Sequence, residues 1–198
     1  MDPEGGKTVV TWDLANRNVT SMRKVAKSGS GLADLLTSAT YNCTYRPSCA
    51  KPTSITDPSN AVANYTYDPV HGGILSEMQP APANGAARPL KLYSYAQRYA
   101  WVDNGAGTLV PASVPVWVLT GNTVCQSAAG SSSAVCDGAA VQTVTTCEFG
   151  ASGTAQSLLV KGQVVSSGGT ALRTCYTYDT AGRKLSETRP LGTGATCP

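Results

Sequence analysis

The chain has 198 residues, 41% of them hydrophobic, which is enough apolar side chain for a packed core in one medium domain or two small ones. Fifteen Lys and Arg against twelve Asp and Glu leave a net charge of +3 in a chain only 14% charged, too weak a field to point to nucleic acid or an anionic membrane. Thr, Val, Ser, Tyr and Gly are plentiful while Phe occurs once and Met three times, a balance that favours strands and turns.

The opening Met1-Asp2-Pro3-Glu4-Gly5 lacks the basic start and apolar run of a secretory signal, so any export signal is expected to lie elsewhere. Asp2-Pro3-Glu4-Gly5 precedes Trp12-Asp13 by the same spacing that separates Asp57-Pro58-Ser59-Asn60 from Tyr67-Asp68, which makes the start of the chain a partial repeat copy. Helix candidates are few, and Gly31–Leu36 offers only a single short turn. Lys51-Pro52-Thr53-Ser54-Ile55-Thr56-Asp57-Pro58 is a further partial copy. The two strong copies are Tyr65-Thr66-Tyr67-Asp68, followed by Gly72-Gly73, Leu75-Ser76-Glu77 and Pro80, and Tyr176-Thr177-Tyr178-Asp179, followed by Gly182-Arg183, Leu185-Ser186-Glu187 and Pro190. Between them Tyr93-Ser94-Tyr95 is a degenerate copy with Ala96 in place of Asp, and 104–146 is rich in Gly, Ser and Ala with no full unit. The apolar run from Val114 to Leu119 is interrupted by Pro115 and is too short to span a bilayer.

The physics of one unit is legible. Two rings at i and i+2 fall on one face of a strand and the intervening Thr on the other. The Asp that follows can accept a hydrogen bond from backbone two residues on, and Gly72, Gly73 or Gly182 can supply a positive φ, so the strand ends in a turn. A second strand returns until Pro58, Pro80 or Pro190 stops its ladder. Each unit is therefore predicted to be an antiparallel β-hairpin with aromatic pegs, and because a lone hairpin is marginal in water the units must pair with their neighbours, as in a solenoid. The expected organisation is all-β: hairpin repeats over 1–103, a degenerate segment over 104–146 and hairpin repeats again over 147–198.

This pattern, Tyr-Thr-Tyr-Asp-x-x-Gly-Arg-x-Leu-Ser with an Asp-Pro turn in register, resembles the YD repeat of bacterial Rhs (rearrangement hot spot) proteins. The motif residues that carry the likeness are Trp12, Asp13, Tyr65, Tyr67, Asp68, Gly72, Gly73, Tyr176, Tyr178, Asp179, Gly182 and Arg183. The resemblance implies a β-ribbon that spirals into a hollow shell around a C-terminal toxin, with adjacent YD repeats and that toxin as partners. On it the chain reads as an internal piece of a longer secreted or cell-surface protein.

Catalytic chemistry finds little to work with. His71, the only histidine, sits in a turn with no Gly-x-Ser-x-Gly elbow anywhere and reads as a solvated side chain. Asp13, Asp68 and Asp179 recur at one place in each hairpin, which speaks for a turn role over paired acids for glycoside cleavage, and Glu77 and Glu187 read as outward strand residues. No enzyme, metal site or cofactor is expected. The tyrosines and Trp12, Trp101 and Trp117 have two uses, packing or stacking on a sugar, so a carbohydrate- or cell-surface-binding module is the alternative reading. Of seven cysteines, Cys43 with Cys49 and Cys125 with Cys136 are candidate bridges in an oxidising compartment, or small buried hydrophobes in a reducing one.

Overall fold

A computed structural model describes residues 6–192 and 197, so the partial copy expected at Asp2–Gly5 lies outside the described residues. The strands in chain order are β1 (Lys7–Asp13), β2 (Asn18–Val25), β3 (Leu35–Tyr41), β4 (Pro52–Thr56), β5 (Val62–Tyr67), β6 (Ile74–Met78) and β7 (Pro89–Arg98). They continue as β8 (Trp101–Asp103), β9 (Leu109–Pro111), β10 (Val116–Gln126), β11 (Thr143–Phe149), β12 (Val160–Ser167), β13 (Thr170–Tyr178), β14 (Lys184–Glu187) and β15 (Leu191–Gly192). The only helical piece among the described residues is a 3-10 turn at Arg46–Ser48, so the chain is all-β. The short helical turn expected at Gly31–Leu36 does not form. Leu35 and Leu36 instead begin β3 and pair with Lys24 and Arg23 of β2, because the ladder satisfies their backbone groups where an isolated turn would not.

The chain divides into two compact units, Met1–Leu90 with Ser127–Val135, and Lys91–Gln126 with Cys136–Pro198. In the first, β1 to β6 lie side by side in chain order, each antiparallel to the one before. Its core is small: Met78 is 1% exposed, with Ala63 and Leu90 also buried. Arg88 closes one side of it, its guanidinium donating to the carbonyls of Gln79, Val62 and Met78 and to Asn64 Oδ1. Trp12, Met22, Leu35 and Leu36 remain substantially exposed.

In the second unit the strand order is β7-β10-β11-β12-β13-β14, with β15 also on β13. β8 and β9 form a separate two-stranded hairpin inserted between β7 and β10. The segment that reads as a degenerate repeat, 104–146, contributes β10, the longest strand among the described residues. Its Val-Trp-Val-Leu-Thr run has strong β-propensity that the flanking Gly and Ser obscure. The turn from β12 to β13 is Gly168-Gly169 with φ of 55° and 80°, two positive values in a row, as a two-residue hairpin needs. Among the described residues no helix is long and apolar enough to cross a membrane.

Candidate functional site

The recurring feature is a bulged hairpin end. The register shifts by one residue immediately before Trp12 on β1, Tyr41 on β3, Tyr67 on β5, Phe149 on β11 and Tyr178 on β13. Each shifted position is aromatic and is the last residue of the first strand of a hairpin or, for Trp12, the last but one. The extra residue lies on the returning strand, at Thr20, Thr53, Leu75, Lys161 and Leu185, so the bulge bends that strand, and opposite it three tyrosines reach back to the preceding strand. Tyr41 donates its hydroxyl to the carbonyl of Val19 at 2.9 Å, Tyr67 to that of Pro52 at 3.0 Å and Tyr178 to that of Val160 at 2.7 Å. Burial, the largest influence on it, raises the Tyr67 phenol above its ordinary pKa.

The residue before each of these tyrosines is Thr, directly opposite a Ser on the next strand. The hydroxyl pairs Thr40 with Ser54, Thr66 with Ser76 and Thr177 with Ser186 lie at 2.7, 2.6 and 2.6 Å. In the degenerate copy on β7, Ser94 and Thr120 exchange places and meet at 3.2 Å. Thus Tyr, Thr and Ser of the repeat lock three successive strands, the Tyr reaching back and the Thr reaching forward.

The residue after the tyrosine makes the turn. Asp68 Oδ1 accepts from the backbone N–H of Val70 and His71, Asp179 Oδ1 from Ala181 and Arg183, Asp13 Oδ1 from Ala15, and Asn42 Oδ1 from Thr44. In the three aspartates these bonds stabilise the ionised form. The N–H of His71 is the main influence lowering Asp68, and the N–H of Arg183 followed by its guanidinium lowers Asp179. Arg183 Nε also reaches Asp179 Oδ2 at 2.6 Å. Gly72 and Gly182 take φ of 69° and 78°, while Gly73 is not in the positive-φ region.

Sequence reasoning finds the copies at Tyr65 and Tyr176 but misses the one at Ala39-Thr40-Tyr41-Asn42. Lys51–Pro58, which reads as a separate partial copy, is its returning strand. The signal is Thr-Tyr-Asn with a Ser fourteen positions after the Thr. Phe149-Gly150 is also missed, since Phe has no hydroxyl and Gly no carboxylate; there Arg98 stacks 4.9 Å from the ring centroid and donates to the Gly150 carbonyl at 2.6 Å.

His71 is not the solvated side chain that its turn suggests. Its side chain is 11% exposed, Nδ1 accepts from the Gly73 N–H at 3.0 Å and Nε2 lies 3.5 Å from Asp68 Oδ2. Six residues of turn between β5 and β6 leave enough backbone to fold the ring inward. Glu77 is half-buried and accepts from Gln79 Nε2, whereas Glu187 is exposed and pairs with Lys184. Trp12 is 52% exposed. Among the described residues no group of three His, Cys, Asp or Glu could hold a metal ion.

Cys43 and Cys49 form a disulfide, as do Cys125 and Cys136, and a third joins Cys175 to Cys197. Cys147 is a thiol whose pKa burial raises. Three bridges in one chain point to an extracellular or otherwise oxidising location.

No protein-family model matches the chain. A search of curated proteins finds no match either.

Proposed function

We propose that the chain is a structural YD-repeat segment of an Rhs-type polymorphic toxin or wall-associated protein, and that it forms part of a β-shell around a C-terminal toxin. The observation that carries this reading is the recurrence of one hairpin end at five places, with three of them sharing the same Tyr-to-carbonyl bond, Thr–Ser hydroxyl pair and Asx turn. A side-chain arrangement that repeats at structural positions and holds backbone to backbone is scaffolding.

The strand order supports it. Within each unit almost every strand pairs with its chain neighbour, so further hairpins can be added at either end without threading the chain. Among the described residues β1 pairs only with β2 and β14 only with β13, which leaves ladder groups at both edges for the next hairpin. The few fully buried apolar residues and the many exposed ones suit a wall whose apolar side is covered by the rest of an assembly. Its partners on this reading are adjacent repeats and the enclosed toxin, and it needs no cofactor or catalytic group.

Sedimentation velocity of the purified chain over a range of concentrations tests the reading. Open edges and uncovered apolar surface should give concentration-dependent association. A stable monomer that unfolds cooperatively would mean a self-contained domain and would remove the shell reading.

A further inference from the structure

The turn between β3 and β4 is unlike its counterparts. It runs from Asn42 to Lys51, whereas the equivalent turns run from Asp68 to Gly73 and from Asp179 to Arg183. The extra residues fold into a loop closed by the Cys43–Cys49 disulfide and the 3-10 turn at Arg46–Ser48. Several bonds pin that loop. Asn18 Nδ2 donates to the Cys49 carbonyl at 2.9 Å, Ser48 Oγ to the Tyr45 carbonyl at 3.2 Å, and Lys51 Nζ to the carbonyl of Gly72. The loop is pressed so close to the next turn that a Cβ at Gly72 would collide with the Pro47 carbonyl oxygen.

A loop held this firmly beside β5 creates a concave surface. The result is a cleft of about 200 Å³ lined by Tyr45, Tyr65 and Tyr67 with Asn42, Ser48 and Thr53. No charged residue lines it. We propose that this cleft binds a single neutral pyranose ring, a terminal sugar of a surface glycan.

The chemistry of the lining selects that class. Tyrosine rings offer flat apolar faces for the C–H face of a sugar, and Asn42 Nδ2 with the Tyr45 and Tyr65 hydroxyls can meet its hydroxyl rim, while Asn42 Oδ1, Ser48 Oγ, Thr53 Oγ1 and the Tyr67 hydroxyl are engaged within the fold. The nearest cation, Lys51 Nζ at 5.6 Å from the Tyr67 ring centroid, is engaged by the Gly72 carbonyl, and the lining itself carries no charge to hold a phosphate, carboxylate or ammonium. The volume lies below the ~300–1,000 Å³ range of pockets for drug-sized ligands, so one ring is the size that suits it. A preformed loop loses little entropy on binding. The site goes beyond the shell reading and does not rest on it.

The test is saturation-transfer NMR on the disulfide-intact chain, with methyl glycosides of glucose, galactose, mannose and N-acetylglucosamine as probes. Transfer to at least one glycoside, with a millimolar Kd, is the expected result. Tyr45 is half exposed, so Tyr45→Ala should weaken that binding at least tenfold while leaving the thermal unfolding curve unchanged. Trp12→Ala, which removes an exposed ring outside the cleft, should leave binding as it was. No transfer to any of the four glycosides, transfer undiminished in Tyr45→Ala, or equal loss in Trp12→Ala would each overturn the assignment.

Discussion

Gly72 and Gly182 hold the same turn position in two hairpins and both sit at positive φ, yet their surroundings differ, and alanine at each separates backbone strain from collision. At Gly182 an added Cβ meets only Leu159 Cδ1 at 3.7 Å, ordinary contact. The left-handed conformation disfavours a side chain by roughly 1–2 kcal/mol, and the stiffer unfolded chain returns part of this, so Gly182→Ala should destabilise by about 1 kcal/mol. At Gly72 the same strain is joined by the clash with the Pro47 carbonyl, which belongs to a loop that the Cys43–Cys49 disulfide keeps from retreating. Overpacking of this kind adds roughly 1–3 kcal/mol, so Gly72→Ala should destabilise by about 3 kcal/mol. Urea unfolding followed by tyrosine and tryptophan fluorescence, with linear extrapolation, gives both values. Equal destabilisation at the two sites would refute the claim that the β3–β4 loop is packed rigidly on the next turn.

Other consequences can be measured in the same way. Tyr41→Phe, Tyr67→Phe and Tyr178→Phe each keep the ring but lose the bond to the preceding strand, and each should lower stability by about 1 kcal/mol in urea titrations. Replacing disulfide pairs by Ser should destabilise in the order of sequence separation 6, 11 and 22, and the chain-entropy relation gives about 2, 3 and 3.5 kcal/mol for Cys43–Cys49, Cys125–Cys136 and Cys175–Cys197. Asp68 and Asp179 have folded pKa values held below the ordinary carboxylate value. Their contribution is therefore complete above about pH 4 and is lost as pH falls through the lower folded values. The melting temperature should drop on acidification below about pH 4, and Asp179→Asn should make that drop shallower; an unchanged acid limb would count against the carboxylate's role in the turn.

The readable parts of this fold are those whose chemistry is local. Tyr-Thr-Tyr-Asp followed by Gly states a strand, a facing rule and a turn within a few residues, and the hairpins at Tyr65 and Tyr176 follow from it. The hairpin at Tyr41 was hidden because a disulfide-stapled insertion separates its two strands and Asn42 stands in for Asp. Bulges cannot be read from side-chain alternation, since one extra residue in a strand leaves the composition of the motif untouched. The tyrosines opposite these bulges, Tyr41, Tyr67 and Tyr178, are the ones that bond to the preceding strand. The third bridge, Cys175–Cys197, depends on how the end of the chain returns to β13, which spacing alone does not fix. The cleft beneath the 42–51 loop is likewise tertiary, assembled from Tyr45 on an insertion and Tyr65 and Tyr67 on a repeat strand.

The most direct measurement of the central claim is a cryo-electron microscopy reconstruction of the protein produced from its full reading frame. The account predicts that β1 and β14 are each paired to further hairpins with the same bulged aromatic end, in a wall that encloses a C-terminal domain. A reconstruction in which both edges face solvent and nothing is enclosed would contradict it.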